Sequence, residues 1–330
     1  MGGRITVIEK PAFSRSVASE LMESELTVLM AVYNGSAYLR TAIESVLDQT
    51  YRQFRFLIVD DASTDDTRRI VRSYEDPRIE LLSLDRNVGQ TAALNIGVRH
   101  ASTPWIARMD ADDYSAPDRL EEQMRALAND SGLSCVGTGI WEFRDDPRVI
   151  DVVKYRPGHH AGIRRAALHG SGMIHGSIVL SREALLDIGA FDERYRYAAD
   201  RDVFIRLFAK HRAMNIQRPL VGIRRHPNQD SFSRRAADEY IDIFAKLASV
   251  DGYSPDEVTI LRRSLAYSHL FRASCFRREG QYREWGRDLA RAFRLSPRTC
   301  MRGFLGALSL YVLPARVRAS LGGEFLKAAT

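Results

Sequence analysis

Cysteine is scarce in this 330-residue chain, and its three residues, Cys135, Cys275 and Cys300, lie far apart. Their spacing excludes a disulfide framework and a paired-cysteine zinc site, and it fits a reducing, cytoplasmic compartment. Long apolar runs are also missing, since none approaches the ~20 residues that span a bilayer. The first 24 residues mix charge with short apolar pieces. They lack a signal-peptide core and read as a loosely ordered leader. No G-x-G-x-x-G follows the first apolar strand, which removes a dinucleotide-dependent oxidoreductase from consideration.

What is present is an ordinary globular composition, 45% hydrophobic and 27% charged, with room for a proper core. The net charge of +6 is unevenly placed. Between positions 255 and 330, fourteen Lys and Arg face six Asp and Glu, so the remainder is slightly acidic. A basic tail on a near-neutral body argues against a nucleic-acid groove through the main domain.

Strand-like and helix-like stretches alternate from residue 26. Leu26 to Tyr33 is a continuous apolar run, as in a central parallel strand. Asn34-Gly35 breaks it, and Tyr38, Leu39, Ala42, Ile43, Val46 and Leu47 then recur at helical spacing. Phe54 to Val59 is a second strand, followed by an acidic loop and a helix carrying Ile70 and Val71. Ile79 to Leu84 leads through Asn87-Val88-Gly89 into a helix with Ala92, Ala93 and Ile96, and a fourth strand starts at Pro104. Such alternation with short loops predicts a parallel sheet covered on both faces. Ser134 to Phe143 and Ser177 to Leu180 read as further strands, and Ser181 to Leu186 as a short helix. Asp200 opens a helix with Val203, Phe204 and Leu207. From Tyr240 onward the pattern is helical, with Tyr267 to Pro297 forming one hairpin about Gly280.

The fourth strand ends in Arg108-Met109-Asp110-Ala111-Asp112-Asp113, the most abrupt concentration of charge in the chain. Packed carboxylates raise one another's pKa unless a cation sits among them. Mg2+ or Mn2+ takes oxygen ligands and shares its shell with substrate phosphates; a solvated acidic turn is the bland alternative. Ser115-Ala116-Pro117-Asp118 predicts an N-cap and capping box for a helix through Leu120, Met124 and Leu127. Strand, turn and helix put the carboxylates at the carboxyl edge of the sheet, where open α/β folds bind ligands.

Taken in order, these pieces resemble the family 2 glycosyltransferases, whose fold is called GT-A. The resemblance runs from about Leu26 to Ser233. It rests on Val32-Tyr33-Asn34-Gly35, Ser45-Val46-Leu47-Asp48-Gln49-Thr50-Tyr51 and Val59-Asp60-Asp61-Ala62-Ser63-Thr64-Asp65-Asp66-Thr67. Arg86-Asn87-Val88-Gly89 with Asn95-Ile96-Gly97, Met109-Asp110-Ala111-Asp112-Asp113 and Pro117-Asp118-Arg119-Leu120 follow. Gly189-Ala190-Phe191-Asp192 and Asp200-Arg201-Asp202 complete it. The resemblance implies a Rossmann-like α/β fold, a mostly parallel sheet flanked by helices, with a helical C-terminal extension. The implied boundaries are 1–24 for the leader, 25–235 for the GT-A domain and 236–330 for the basic helical region. It also implies an inverting, metal-dependent transfer from a nucleotide-sugar donor, a UDP-sugar being favoured. The acceptor is a saccharide or lipid-linked sugar, in surface polysaccharide or glycolipid synthesis, with no nucleic-acid partner.

Each matched residue then has an implied task. Tyr33 can stack on the base, and Asp61 can accept its ring N–H, with Asp60 beside it in the nucleotide-sugar site; Asp60 or Asp66 can instead cap the next helix. Asp110 and Asp112 match the metal-binding pair, Asp113 is a rival ligand, and Asp110 also meets the donor. Asp200 matches the catalytic base, with an N-cap role as its structural alternative. His226 matches a position near the donor phosphates, often at the metal, and Ser231 and Ser233 fit the same loop. His175 resembles an acceptor-side position. The family pattern is broken at Ala199, where an acidic residue is usual, at Ala31, where proline is common, and at Leu94, where a basic residue is common. Diphosphate contacts therefore fall to Arg86 or Arg108. A nucleotide-sugar-binding module without turnover is the alternative function, and the presence of Asp200 separates the two.

The tail from Met301 to Phe325 sets Phe304, Leu305, Leu308, Tyr311 and Leu313 among Arg302, Arg316 and Arg318, with Pro314 breaking it. Two short helices, apolar on one side and basic on the other, suit the inner face of an anionic cell membrane. Packing on the catalytic domain and a homodimer contact are the alternatives.

Overall fold

Backbone pairing begins earlier than hydropathy indicates. Ile5–Val7 forms a strand, β1, antiparallel to Leu82–Leu84, which corrects the loosely ordered leader at these three positions. A sheet edge offers unpaired N–H and C=O groups. Any extended tripeptide can satisfy them, so the pairing leaves no mark in side-chain pattern. The computed structural model describes residues 5–7, 25–170, 172–226, 233–249 and 252–301.

The four apolar runs are β2 (Leu26–Val32), β3 (Phe54–Asp60), β4 (Ile79–Leu84) and β5 (Trp105–Arg108). Every residue of β2 is buried, because β3 and β5 flank it. Helices α1 (Leu39–Leu47), α2 (Thr67–Arg72) and α3 (Gln90–His100) connect them. In α1, Leu39, Ala42, Ile43 and Val46 are buried, the stripe that helical spacing predicts. Helix α3 lies close on the sheet at Gly97, where a Cβ would stand 2.3 Å from Leu29 Cδ1. A larger residue there requires the Leu29 side chain or the helix to shift.

After β5 come β6 (Tyr114–Ser115), α4 (Arg119–Asn129), β7 (Leu133–Phe143), β8 (Val152–Lys154) and α5 (His160–Ala167). Then follow β9 (Val179–Ser181), α6 (Arg182–Asp187), α7 (Ala199–Lys210) and β10 (Arg212–Arg224). Among the described residues the sheet order is β1-β4-β3-β2-β5-β9-β7-β10-β6, with β8 paired to β7. The pairings of β2 with β3 and β5, of β3 with β4 and of β7 with β10 are parallel, and the remaining, short ones are antiparallel.

Three readings change. Ser115 lies in β6 and is not a cap. Asp118 holds the N-cap position of α4 without a side-chain cap bond, and its carboxylate pairs with Arg218 at 2.7 Å. The first-turn N–H of Leu120 is satisfied instead by Gln49 Oε1, at 3.0 Å, from beyond the end of α1. The stretch from Ser177 tightens into a 3-10 turn at His175–Ser177, and strand pairing starts only at Val179. Strand β10 has no counterpart in the sequence reading. Arg212, Gln217, Arg218 and Pro219 interrupt its apolar pattern, and its register on β7 shifts around that proline.

The chain divides into two compact units, Met1–Ala167 with Ser171–Gln229 and Leu168–Gly170 with Asp230–Thr330. In the second unit α8 (Arg234–Ala248) is capped by Ser233, whose hydroxyl accepts from Ala236 N at 3.2 Å. Helix α9 (Pro255–Arg278) begins in a capping box between Ser254 and Glu257, and α10 (Tyr282–Leu295) returns along it. Asp288, 1% exposed, closes this hairpin. It accepts from Arg272 at 2.6 and 2.8 Å and lies 3.1 Å from His269 Nδ1, so the buried charge is satisfied on both oxygens. Among the described residues no helix is long and apolar enough to cross a membrane. Residues 302–325, read above as a membrane-surface element, lie outside the described residues.

Candidate active site

The loops that follow β2 and β3 are stitched together by the motif residues themselves. Asn34 Oδ1 accepts from Thr64 N at 2.8 Å. Asn34 N, Gly35 N and Ser36 N donate to Ser63 Oγ, Thr67 Oγ1 and Asp65 Oδ2 at 2.9, 2.9 and 3.1 Å. Asn34 and Ala62 take positive φ, 51° and 60°, a conformation that costs free energy and persists where surrounding bonds enforce it. Burial works against the Asp65 carboxylate, yet hydrogen bonds from Ser36 and Thr67 hold its pKa at about 2. Asp60 is fully buried beneath this loop, paired with Arg68 and accepting from Ser63 N at 3.2 Å. It braces the loop and caps no helix; Asp66 occupies the N-cap position of α2.

Asp61 ties in a third loop. Its two carboxylate oxygens accept the backbone N–H groups of Val88 and Gly89 at 2.7 and 2.8 Å. Burial raises its pKa, opposed by those two amides and by the charge of Arg196. Each carboxylate oxygen keeps a further lone pair. Tyr33 stands 49% exposed at the end of β2, and Arg86 is exposed on the loop between β4 and α3.

Strands β5 and β6 pin the two ends of the acidic turn, and the end of β10 grips its middle. Arg108, 3% exposed, donates to Asp110 Oδ1 at 2.6 Å. Its Nε and Nη1 have no partner among the described residues. Asp113 is buried and accepts from Arg224 N at 3.0 Å. The Arg224 side chain donates to Asp112 O at 3.0 Å and to the carbonyls of Arg144 and Asp145 at 2.7 and 2.9 Å. Its guanidinium lies over the rings of Tyr38 and Phe143, 4.5 and 4.6 Å from their centroids. His226 Nε2 meets Asp112 Oδ2 at 2.9 Å. Arg119, buried below, donates to Arg108 O at 2.8 Å, and burial draws its pKa down to about 9.

Charge in this turn is under strain. Burial, then the charges of Asp110 and Asp112, push Asp113 well above the usual carboxylate range. Burial and Asp110 raise Asp112, with His226 working the other way. Among the described residues no three His, Cys, Asp or Glu side chains converge to hold a metal ion unaided. The donors nearest to doing so are Asp112 and His226, with the Asp110 charge beside them.

Asp200 is the second residue of α7, whose N-cap position is Ala198, so it is not the cap. Its Oδ1 accepts from Arg201 N at 2.8 Å. Part of its surface is open, but dense surroundings raise its pKa against the pull of Arg201 and Arg108. A carboxylate so raised is a stronger base at neutral pH. Asp202 has a different role: it pairs with Arg206, which donates to the carbonyls of Ile188 and Ala190 and so holds the turn at Gly189. His175 packs edge-on against Phe191 and Phe204. Burial, helped by the Arg108 charge and opposed by Asp110, lowers its pKa to about 3 and keeps it neutral. Arg108 is thus the charge felt in common by Asp110, His175 and Asp200.

Sequence reasoning placed Tyr38 in the apolar stripe of α1 and treated Arg224 only as a neighbour of His226. The structure gives both to the site, through contacts that no local pattern marks. Ser231 lies outside the described residues, and Ser233 belongs to the α8 cap. Gly176 was also passed over. A Cβ there would stand 3.0 Å from Asp110 Oδ2 and 3.3 Å from Asp113 Oδ2. Gly176→Ala is therefore expected to displace the acidic turn by a few tenths of an ångström and slow turnover on the order of tenfold. Steady-state transfer and thermal melting on one preparation check this. Unchanged turnover would show that the turn does not depend on Gly176.

A family model described as Glycosyl transferase family 2 matches residues 27–189. The putative glycosyltransferase EpsE of Bacillus subtilis is 33% identical over 228 residues, 66% of this chain and 78% of that one. The succinoglycan biosynthesis protein ExoO of Rhizobium meliloti is 40% identical over 100 residues, 30% of this chain and 29% of its own. Among solved structures, S. aureus TarS 1–349 in complex with UDP-GlcNAc aligns with a TM-score of 0.66 at 15% identity, covering 84% of this chain and 82% of that one. The mannosyltransferase PcManGT from Pyrobaculum calidifontis, in complex with GDP-Man and Mn2+, aligns with a TM-score of 0.58 at 23% identity, covering 92% and 85%. These likenesses show the fold, the GT-A architecture. A sequence relative as similar as EpsE over most of its own length settles the family: the chain belongs to the family 2 glycosyltransferases.

Proposed function

We propose that the enzyme transfers a sugar from a nucleoside-diphosphate sugar, a UDP-sugar by preference, to an acceptor hydroxyl with inversion at the anomeric carbon. The product belongs to a surface polysaccharide or glycolipid. One observation carries the reading. Buried Arg108 pairs with Asp110 of the acidic turn and its charge also reaches Asp200, so the turn and Asp200 belong to one site, where a diphosphate and an acceptor hydroxyl can meet. The name of ExoO supports a polysaccharide product, and the ligands of TarS and PcManGT support the donor class.

The residues divide the work. Tyr33 stacks on the base, Asp61 accepts a ring N–H with the lone pairs its amides leave, and Asp60 holds that loop from below. Arg86 meets the diphosphate. Asp112, Asp110 and His226 would hold Mg2+ or Mn2+, with buried Asp113 behind them. Too few protein ligands for a closed site suit a cation that completes its shell on substrate phosphates. When bound, it offsets the charge that develops on the departing nucleoside diphosphate. Asp200 takes the acceptor's hydroxyl proton as that oxygen bonds to the anomeric carbon. The bond to the diphosphate breaks on the opposite face, which inverts the configuration. A route with retention through a covalent intermediate would need a carboxylate nucleophile in its place.

A panel of UDP-, GDP- and dTDP-sugars with Mn2+ tests this. One donor class should raise the melting temperature by about 5–10 °C at a hundred times its Kd, and nucleoside diphosphate should be released once an acceptor is supplied. Stabilisation without release across acceptors would favour a binding module. No stabilisation by any donor would overturn the reading.

A further inference from the structure

The helical hairpin of the second unit carries more positive charge on its last helix than the acids of that helix answer. On α10, Arg283, Arg287, Arg291 and Arg294 fall on one face at helical spacing, and all four are exposed. Like charges at that spacing destabilise a helix. The acids nearby offset them only in part. Asp288, buried and bound to Arg272 and His269, pairs with Arg291 at 3.6 Å, and Glu284 stands three residues before Arg287. About a third of a turn round the helix from the centre of that row stand Tyr282 and Phe293, 67% and 54% exposed. Gly286 and Ala290, also exposed, lie between the two rows and leave the surface flat.

We propose that this face of α10 docks on the surface of an anionic lipid bilayer. A helix lying in the membrane plane needs a cationic row for phosphate headgroups and aromatic side chains at the acyl boundary. Here the two rows are side by side on one flat face. A nucleic acid fits less well, because the aromatics stand apart from the arginine row and cannot stack on bases that the arginines hold. The docking face is built from α10 alone and needs none of the residues proposed for the donor reaction.

Co-sedimentation of the full chain with phosphatidylcholine vesicles, with and without phosphatidylglycerol, is the test. The wild type should favour the anionic vesicles on the order of tenfold at low salt and lose that preference at high salt. The triple variant R283E/R287E/R294E should lose it at every salt concentration, while Phe293→Ser should weaken binding severalfold with the salt dependence unchanged. Circular dichroism and unaltered release of nucleoside diphosphate in solution confirm that the variants are folded; should the triple variant fail there, R287Q/R294Q replaces it. Equal binding to both vesicle types overturns the proposal. So does wild-type binding by the charge-reversed variant, and so does preference for duplex RNA over anionic vesicles in one buffer.

Discussion

Asp200→Asn is expected to slow transfer by roughly 10²–10⁴-fold, the usual range for loss of a general base, while donor-induced stabilisation stays at the wild-type level. The amide keeps the size of the side chain and an oxygen for the N–H of Arg201, 2.8 Å away. It cannot take a proton from the acceptor. Because dense surroundings raise the pKa of Asp200, the wild-type rate should climb with pH through a value above the ordinary aspartate pKa of about 4. The base works only when ionised, so activity is lost on the acid side of that value. In the variant this acid limb should vanish from the residual rate. The fold should not suffer. A group whose pKa rises on folding opposes folding when ionised, and the asparagine removes that penalty. Transfer rates across pH and melting with donor on the same samples decide the matter. A fall in donor affinity in step with the fall in rate would make Asp200 a binding or structural residue.

Asp112→Asn tests the other half of the site. Transfer should drop about 10³-fold or more, since a divalent cation supplies several kcal/mol of charge stabilisation to a departing phosphate. EDTA should reproduce the loss in the wild type. The stability of the ligand-free protein should move the opposite way. Burial and the Asp110 charge raise the pKa of Asp112, so its ionised form destabilises the folded state, more as pH climbs past about 4. The variant should therefore melt at or above the wild-type temperature at neutral pH. The difference should fade as pH falls below about 4, where the wild-type carboxyl is protonated too. Mn2+ with nucleoside diphosphate should raise the wild-type melting temperature and leave the variant's unchanged. Full wild-type activity in chelator would remove the metal from the proposal.

The repeating strand–helix order was legible without coordinates, because each early strand is buried on both faces and each crossing helix on one. Continuous apolar runs and hydropathy at a period of 3.6 record such burial directly. The acidic turn was legible for a related reason: carboxylates at a strand end have few structural uses, so their concentration is itself a signal. The short strands β1, β6 and β8 and the long strand β10 were not legible. They are held by backbone bonds at sheet edges or by a register broken at Pro219, and backbone pairing is indifferent to side-chain pattern.

By itself the sequence determined which residue types stand at the carboxyl edge of β2 to β5, and so the family. Only the tertiary structure decided what each of them touches. Asp60 and Asp61 are adjacent in sequence, yet one is spent on Arg68 below the loop and the other clasps the amides of Val88 and Gly89. Asp112 and Asp113 are adjacent as well, yet one meets His226 and the other the backbone of Arg224. Neighbouring residues in a turn point in different directions, and the partners of Asp112 and Asp113 arrive from the end of β10 and just beyond it, more than a hundred positions away. Local sequence fixes the charge that is offered; the packing of distant segments fixes what answers it.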